Sequence, residues 1–317
     1  MGLAESRHAS TAPGGTVPAA RPDRLGGRSR SRLPSESRQG WTVPGGTSVA
    51  ARRSSRGELS VHLLGRVEVV ASGAPVRLGG RQAQALFALL VLDPRPRSRD
   101  AIAVDLWPDA AAASAGCLRQ ALWLVRTSLA SAGIDPDELL EIEPDLLGLR
   151  RGARIDLDVA RFEAATKARP ANAEAAIATY AGDLVEGLGH DCFAAERERL
   201  SDALEDMLAI AAQQRLADGD VDGARDAAER LLARDPLREE AHAALIAVFG
   251  ETGSRSQVAR QYRRLQDVLR RELDVDPLPE TDGAYRRAMA ATYDRSRSIA
   301  GSRPTLAGRV SQIAISA

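Results

Sequence analysis

The sequence contains one lysine, two cysteines and few aromatic residues, and each scarcity narrows what the chain can be. Lys167 stands alone among 43 basic residues, which reads as the codon bias of a GC-rich genome and not as chemistry. Cys117 and Cys192 lie far apart, each in an apolar helical pattern. A disulfide framework is therefore not expected, and a reducing cytoplasm is. Four histidines and two cysteines in no ligand spacing exclude a zinc site, and no metal or other cofactor is expected. Aromatics are 3% of residues against 44% hydrophobic, a mix that suits helices packed through Leu and Ala better than a β-sandwich. No apolar run approaches the ~20 residues that span a bilayer, and the N-terminus lacks the apolar stretch of a secretory signal. No G-x-S-x-G elbow, metal motif or GxxxxGK[ST] loop brings nucleophiles or phosphate-binding groups together, so an enzyme is not expected. Formal net charge is zero, so affinity for nucleic acid has to come from a local patch.

At 317 residues the chain has room for two domains. Residues 1–57 are rich in Gly, Ser, Pro and Arg without periodicity, and read as a disordered tail. Ten arginines against Glu5, Asp23 and Glu36 leave this tail at net +7. Such a tail suits nonspecific phosphate binding, a plain linker, or a segment upstream of the true start. Residues 296–317 read as a second disordered tail.

Between these tails the patterning changes once. Residues 59–70 (LSVHLLGRVEVV) are β-branched and broken at Gly65, and a short strand at 75–78 completes a hairpin. Residues 81–92 switch to helical spacing, stopped by Pro94 and Pro96. Ser98 is an N-cap, with Asp100 in the first turn of a second helix that Pro108 ends. Residues 109–132 (DAAAASAGCLRQALWLVRTSLASA) form a third helix. Leu118, Leu122, Val125 and Leu129 repeat at spacings of four, three and four and give one buried stripe. Gly116, Arg119, Gln120, Trp123, Arg126 and Thr127 share the opposite stripe. Arg there can bond guanine bidentately, and Gln can do the same to adenine. A second hairpin, 139–143 and 146–150, turns at Pro144-Asp145. Strands, three helices and a hairpin is the order of a winged helix, in which the third helix enters the major groove. Arg97 and Arg99 before the second helix, and Arg150 and Arg151 after the hairpin, are candidate phosphate contacts.

From Ile155 the pattern is helical throughout, with helices at 159–168, 173–186, 193–217, 221–234, 237–251, 256–273 and 280–293. Gly219 and Gly253 each separate two amphipathic helices and lie 34 residues apart, with Ala224-Arg225 and Ala259-Arg260 at nearly matching offsets. That is the tetratricopeptide period, whose stacked helix pairs share a core and leave a concave face for partners. Tyr180 and Tyr262 either line that face or pack in the core.

The blocks GDLVEGLGHDCFAAERERL (182–200), DGDVDGARDAAERLLARDPLREEAHAALI (218–246) and ARQYRRLQDVLRRELDVDPLPET (259–281) resemble the bacterial transcriptional activator domain. LFALLVL (86–92), AVDLWPD (103–109) and CLRQALWLVRTSL (117–129) sit where that family places the three helices of a winged helix related to the OmpR type. Together they resemble the Streptomyces antibiotic regulatory protein type, in its short form without an ATPase. The resemblance implies a mainly α chain: a winged helix-turn-helix (α+β) domain at 58–154 and an all-α tetratricopeptide-like domain at 155–295. It implies a cytoplasmic, sequence-specific transcriptional activator whose partners are double-stranded promoter DNA and RNA polymerase. A second copy or a regulatory protein would bind the helical repeats, and no membrane is involved. The resemblance places Arg119, Gln120, Trp123 and Arg126 on the base-facing stripe. It places Trp107 and Asp109 in the loop that touches RNA polymerase in related proteins. Two positions depart from the pattern: the hairpin tip, Glu143-Pro144-Asp145, is acidic where phosphate would lie, and Trp123 is large for a base-reading position. The alternative from the same residues is a protein-interaction scaffold whose winged domain does not bind DNA; salt-dependent binding to DNA separates the two.

Overall fold

The computed structural model describes residues 59–110 and 113–301, with side chains up to Asp294. The tail expected at 1–57 lies outside the described residues, as do 302–317. Helix dominates, with short strands gathered towards the N-terminus.

The apolar run at 59–70 is two strands, not one: β1 (Leu59–His62) and β2 (Glu68–Ala71) pair antiparallel, Leu59 opposite Ala71. Gly65 lies between them with φ of 107°, a conformation its lack of a Cβ permits. Ser72 (φ 50°) and Gly73 (φ 82°) then form a two-residue turn into β3 (Ala74–Pro75), the left-handed pair that tight hairpins favour. α1 (Arg81–Leu92) buries eight of its twelve residues and forms the centre of the N-terminal core. β4 (Arg97–Ser98) leads into α2 (Arg99–Leu106), whose N-terminus is capped by Ser98 Oγ accepting from the Ala101 N–H at 3.1 Å.

The third helix starts later than the run of helix formers suggests. Pro108–Ala110 is a single 3-10 turn, and α3 spans Ser114–Ser131. A one-turn helix absent from the sequence reading, α4 (Pro136–Leu139), follows. Its signal is Asp135-Pro136, an N-cap carboxylate that accepts from the Asp137 N–H at 2.9 Å and a proline at the first helical position. β5 (Leu140–Ile142) and β6 (Leu146–Leu149) form the expected hairpin, and β4 joins them in a three-stranded sheet of order β4-β6-β5. Gly148 permits this: a Cβ there would lie 2.7 Å from Pro96 Cα.

Ile155–Leu157 is a strand, β7, and not the beginning of the helical region. It pairs parallel to β1 and closes a four-stranded sheet of order β3-β2-β1-β7. Then come α5 (Asp158–Lys167), α6 (Ala173–Thr179), α7 (Ala194–Ala217), α8 (Val221–Arg234), α9 (Glu239–Glu251), α10 (Arg255–Glu272) and α11 (Pro279–Gly301). α11 thus runs past Tyr293, where the sequence pattern ended it. Gly219 (φ 82°) and Gly253 (φ 72°) end α7 and α9 in the same way. The Asp220 N–H reaches back to the Arg215 carbonyl (2.8 Å), and the Ser254 N–H to that of Phe249 (2.9 Å). The 34-residue spacing therefore repeats one capping motif. Tyr180 is core: it is buried, edge-on to Phe162, and donates to Asp183 at 3.1 Å. Half-buried Tyr262 stacks on Tyr285.

α6 ends at Thr179, seven residues short of the expected 186. The following segment crosses back to the sheet. Val185 N–H donates to the Leu63 carbonyl (2.7 Å), Glu186 N–H to that of Gly65 (2.7 Å), and Gly65 N–H to that of Asp183 (3.0 Å). Two glycines make the crossing possible, since a Cβ on Gly182 would sit 3.1 Å from Gly65 Cα. Beside it lies Asp158, 2% exposed, whose carboxylate accepts from the Leu63, Leu64 and Val159 N–H groups at 2.8–2.9 Å. One apolar cluster runs without a break from Leu59 to Leu245 across this seam.

Asp158→Ala leaves those buried donors unpaired. The expected cost is about 3 kcal/mol, or a melting temperature roughly 6–12 °C lower. Asp158→Asn, which keeps one acceptor oxygen, should fall between wild type and Ala. A thermal melt of Asp158→Ala within about 1 °C of wild type would show that the seam does not depend on this carboxylate.

Candidate nucleic-acid interface

α3 divides as its spacing requires. Leu118, Ala121, Leu122, Val125 and Leu129 are buried against the domain. Arg119, Gln120, Trp123 and Thr127 are exposed, with Trp123 at 59%. Gly79 lets the loop before α1 meet this helix closely, because a Cβ there would lie 2.9 Å from Leu124 Cδ2. Arg119 has no acidic partner among the described residues. It lines a groove of about 490 Å3 together with Arg99, Pro144 and Asp145. The start of α2, the first half of α3 and the tip of the β5–β6 hairpin therefore meet at one place.

The other candidate cations are placed differently. Arg126 is half-buried and its Nη1 lies 2.8 Å from Asp137 Oδ1 in α4. Arg150 Nε donates to the main-chain carbonyl of the same Asp137 at 2.7 Å. Arg97 is turned inward to Asp105 of α2. Arg99 holds the hairpin tip: its backbone N–H donates to the Asp145 carbonyl (2.9 Å) and its Nη1 to the Glu143 carbonyl (3.2 Å). Arg151 is exposed in the turn between β6 and β7. The structure thus gathers Arg119 and Arg99 in one groove, keeps Gln120, Trp123 and Thr127 on the same outward face, and commits Arg97, Arg126 and Arg150 to internal partners. Asp137, which organises two of those arginines, was missed by sequence reasoning along with its helix.

Trp107 caps the C-terminus of α2 and packs half-buried against the core, while Asp109 is exposed in the 3-10 turn. Just before β4, the hydrogen bond from Arg95 holds the Asp93 carboxyl below the usual carboxylate range. Neither cysteine is disulfide-bonded, and burial pushes the Cys192 thiol up to about 11. Among the described residues no group of three or more His, Cys, Asp and Glu could hold a metal ion, and no helix is long and apolar enough to cross a membrane.

The family profile described as "Bacterial transcriptional activator domain" matches residues 153–288. "Transcriptional regulatory protein MoaR1" of Mycobacterium tuberculosis is 27% identical over 254 residues, covering 74% of this chain and 81% of that protein. "Transcriptional regulatory protein EmbR" of the same organism is 28% identical over 247 residues, covering 70% of this chain and 61% of the relative. The solved structure of M. tuberculosis EmbR in complex with a low-affinity phosphopeptide superposes with a TM-score of 0.61 at 24% identity, covering 77% of this chain and 70% of that one. That superposition shows a shared fold.

The Arg99 contacts predict a local effect. Arg99→Ala should raise amide exchange across residues 140–149 while leaving α3 protected, and should cost under about 1 kcal/mol of global stability, since the contact is exposed. Unchanged hairpin protection would show that the backbone bonds hold the tip without the Arg99 side chain.

Proposed function

We propose, on the premise that the chain belongs to the bacterial transcriptional activator domain family and is a transcriptional regulator, that it binds promoter DNA through α3 and activates by contacting RNA polymerase. In this reading residues 58–154 are the DNA-binding domain and 155–295 the regulatory, tetratricopeptide-like domain. The observation that carries it is the outward face of α3, where Arg119 and Gln120 are exposed beside Trp123 while every large aliphatic of the opposite stripe is buried. An exposed helix presenting a bidentate donor, an amide and an indole fits a major groove. Arg126 joins that face only by exchanging Asp137 for a phosphate or a base. The exchange is cheap, since such a partly exposed pair contributes about 0–1 kcal/mol. The acidic tip at Glu143 and Asp145 keeps the hairpin off the phosphates, so affinity rests on α3, Arg151 and the arginines that can change partner. The loop between α2 and α3 supplies the activating surface through Asp109 and the exposed edge of Trp107, away from the face that reads bases.

Two substitutions separate these roles. Arg119→Ala should cost about 1–3 kcal/mol at the specific site and relax one base preference, with helicity intact because Ala is the better helix former. The measurement is a titration on specific and scrambled duplexes at two salt concentrations, with circular dichroism as the folding control. A folded variant that keeps its full preference for the specific duplex removes α3 from the reading role. Asp109→Arg should leave duplex affinity near wild type and lower transcription from the target promoter in vitro. Equal losses in both assays would place Asp109 in DNA binding or folding.

A further inference from the structure

A groove of about 660 Å3 runs between α8, α9 and α10, apart from the α3 face. Its floor is the nearly buried Leu232 near the end of α8 and Val268 of α10, and the exposed apolar rim is Pro236 just beyond α8. Its cations come from α10. Arg260, Arg264 and Arg271 stand at i, i+4 and i+11, a single stripe about 16 Å long, with Arg263 alongside. Arg260, Arg263 and Arg264 have no acidic partner among the described residues, and Arg271 bonds only its neighbour Glu272. These arginines are not what packs α10, because Val258, Gln261, Leu265, Val268 and Leu269 make its buried stripe. His242 belongs to the wall and carries no charge to the groove. Its Nε2 donates to the Pro236 carbonyl (3.1 Å), its Nδ1 accepts from Gln261 Nε2 (2.9 Å), and burial holds its pKa below the ordinary value. Past Arg271 the chain exposes Leu273, Val275 and Leu278.

We propose that this groove binds an acidic segment of a partner protein in which carboxylates alternate with apolar side chains. Guanidinium groups donate two parallel hydrogen bonds to a carboxylate, so the stripe offers repeated donor sites. An extended segment of about five residues spans the same 16 Å, and its alternate side chains point the opposite way, towards Pro236 and the aliphatic stems of the arginines. The apolar rim of Pro236 and the arginine stems favours a peptide with apolar side chains over a nucleic-acid backbone, which presents nothing to bury there. Asp267, the acid in the middle of the stripe, opposes a continuous run of phosphates and leaves a place for a peptide N–H or hydroxyl. The proposal goes beyond DNA recognition by α3 and does not rest on it.

The test is a fluorescence-anisotropy titration of the full chain with a labelled peptide of alternating Asp and Leu. A Lys-Leu peptide of equal length and a random-sequence duplex serve as comparisons. The Asp-Leu peptide should bind saturably and the Lys-Leu peptide should not. The Arg260→Glu/Arg264→Glu double variant, folded by circular dichroism, should bind the acidic peptide about tenfold or more weakly. Arg119→Ala should bind it as wild type does. Arg264→Gln, which only neutralises one charge, gives the same direction of change if the double variant does not fold. The proposal is overturned if neither peptide saturates, if both bind equally, or if folded groove variants bind the acidic peptide like wild type. A groove variant that loses the random duplex while keeping the peptide would assign the surface to a nucleic-acid backbone instead.

Discussion

Asp158 is a nearly fully buried carboxylate, and its hydrogen bonds hold the two halves of the molecule in one arrangement. It is the first residue of α5, directly after β7, and its acceptors are filled by the N–H groups at the end of β1. A buried charge is tolerated only when its acceptors are satisfied, and hydrogen bonds to an ionised oxygen are about twice as strong as neutral ones. The contact fixes where β1 ends and where the first helix of the second half starts. The segment at 183–186 adds a second set of backbone hydrogen bonds to the same turn. The helical repeats are therefore seated on the sheet by directional bonds as well as by a shared apolar cluster.

The arginines show why charge by itself is a poor guide to a binding surface in a chain of zero net charge. Arg97, Arg126 and Arg150 all lie near the candidate interface, yet each spends its guanidinium on Asp105 or Asp137. Arg119 and, on α10, Arg260, Arg263 and Arg264 differ from them in having no acidic partner among the described residues. That difference comes from which elements pack beside each helix: α4 delivers Asp137 to Arg126, and among the described residues nothing equivalent faces Arg119 on α3 or Arg260, Arg263 and Arg264 on α10. Pairing also gives Arg126 and Arg150 a defined resting position from which a stronger anion could draw them.

Legibility followed the range of the interactions. α8 was read at its observed limits, 221–234, because its start is set by Asp220, whose side chain accepts from the Gly223 N–H, and by Gly219 before it. The four-three-four spacing of α3 placed its buried residues correctly for the same local reason. The alanine run after Asp109 has high helix propensity and suggests an earlier start for α3, but Pro108–Ala110 is a 3-10 turn and α3 begins at Ser114. The helical spacing of Ile177, Tyr180 and Leu184 suggests a longer α6 than the one that ends at Thr179. Leu184 is instead bridged to Leu64, and Val185 takes a positive φ of 48° to bring the chain there.

The sequence alone determined the elements that depend on neighbours in the chain. These are the capped and periodic helices, the repeated glycine caps 34 residues apart, the strand–helix–hairpin order, and the outward stripe of Arg119, Gln120 and Trp123. The tertiary structure decided everything that requires two distant segments to meet. It split 59–70 into paired strands, set β7 beside β1, buried Asp158, turned 180–188 back onto the sheet, and chose which arginines would find an acid. Helix periodicity and capping act over about four residues and leave a mark on the local sequence. The hydrogen bond from the Leu63 N–H to the Asp158 carboxylate joins groups 95 residues apart and depends on packing that no local pattern records.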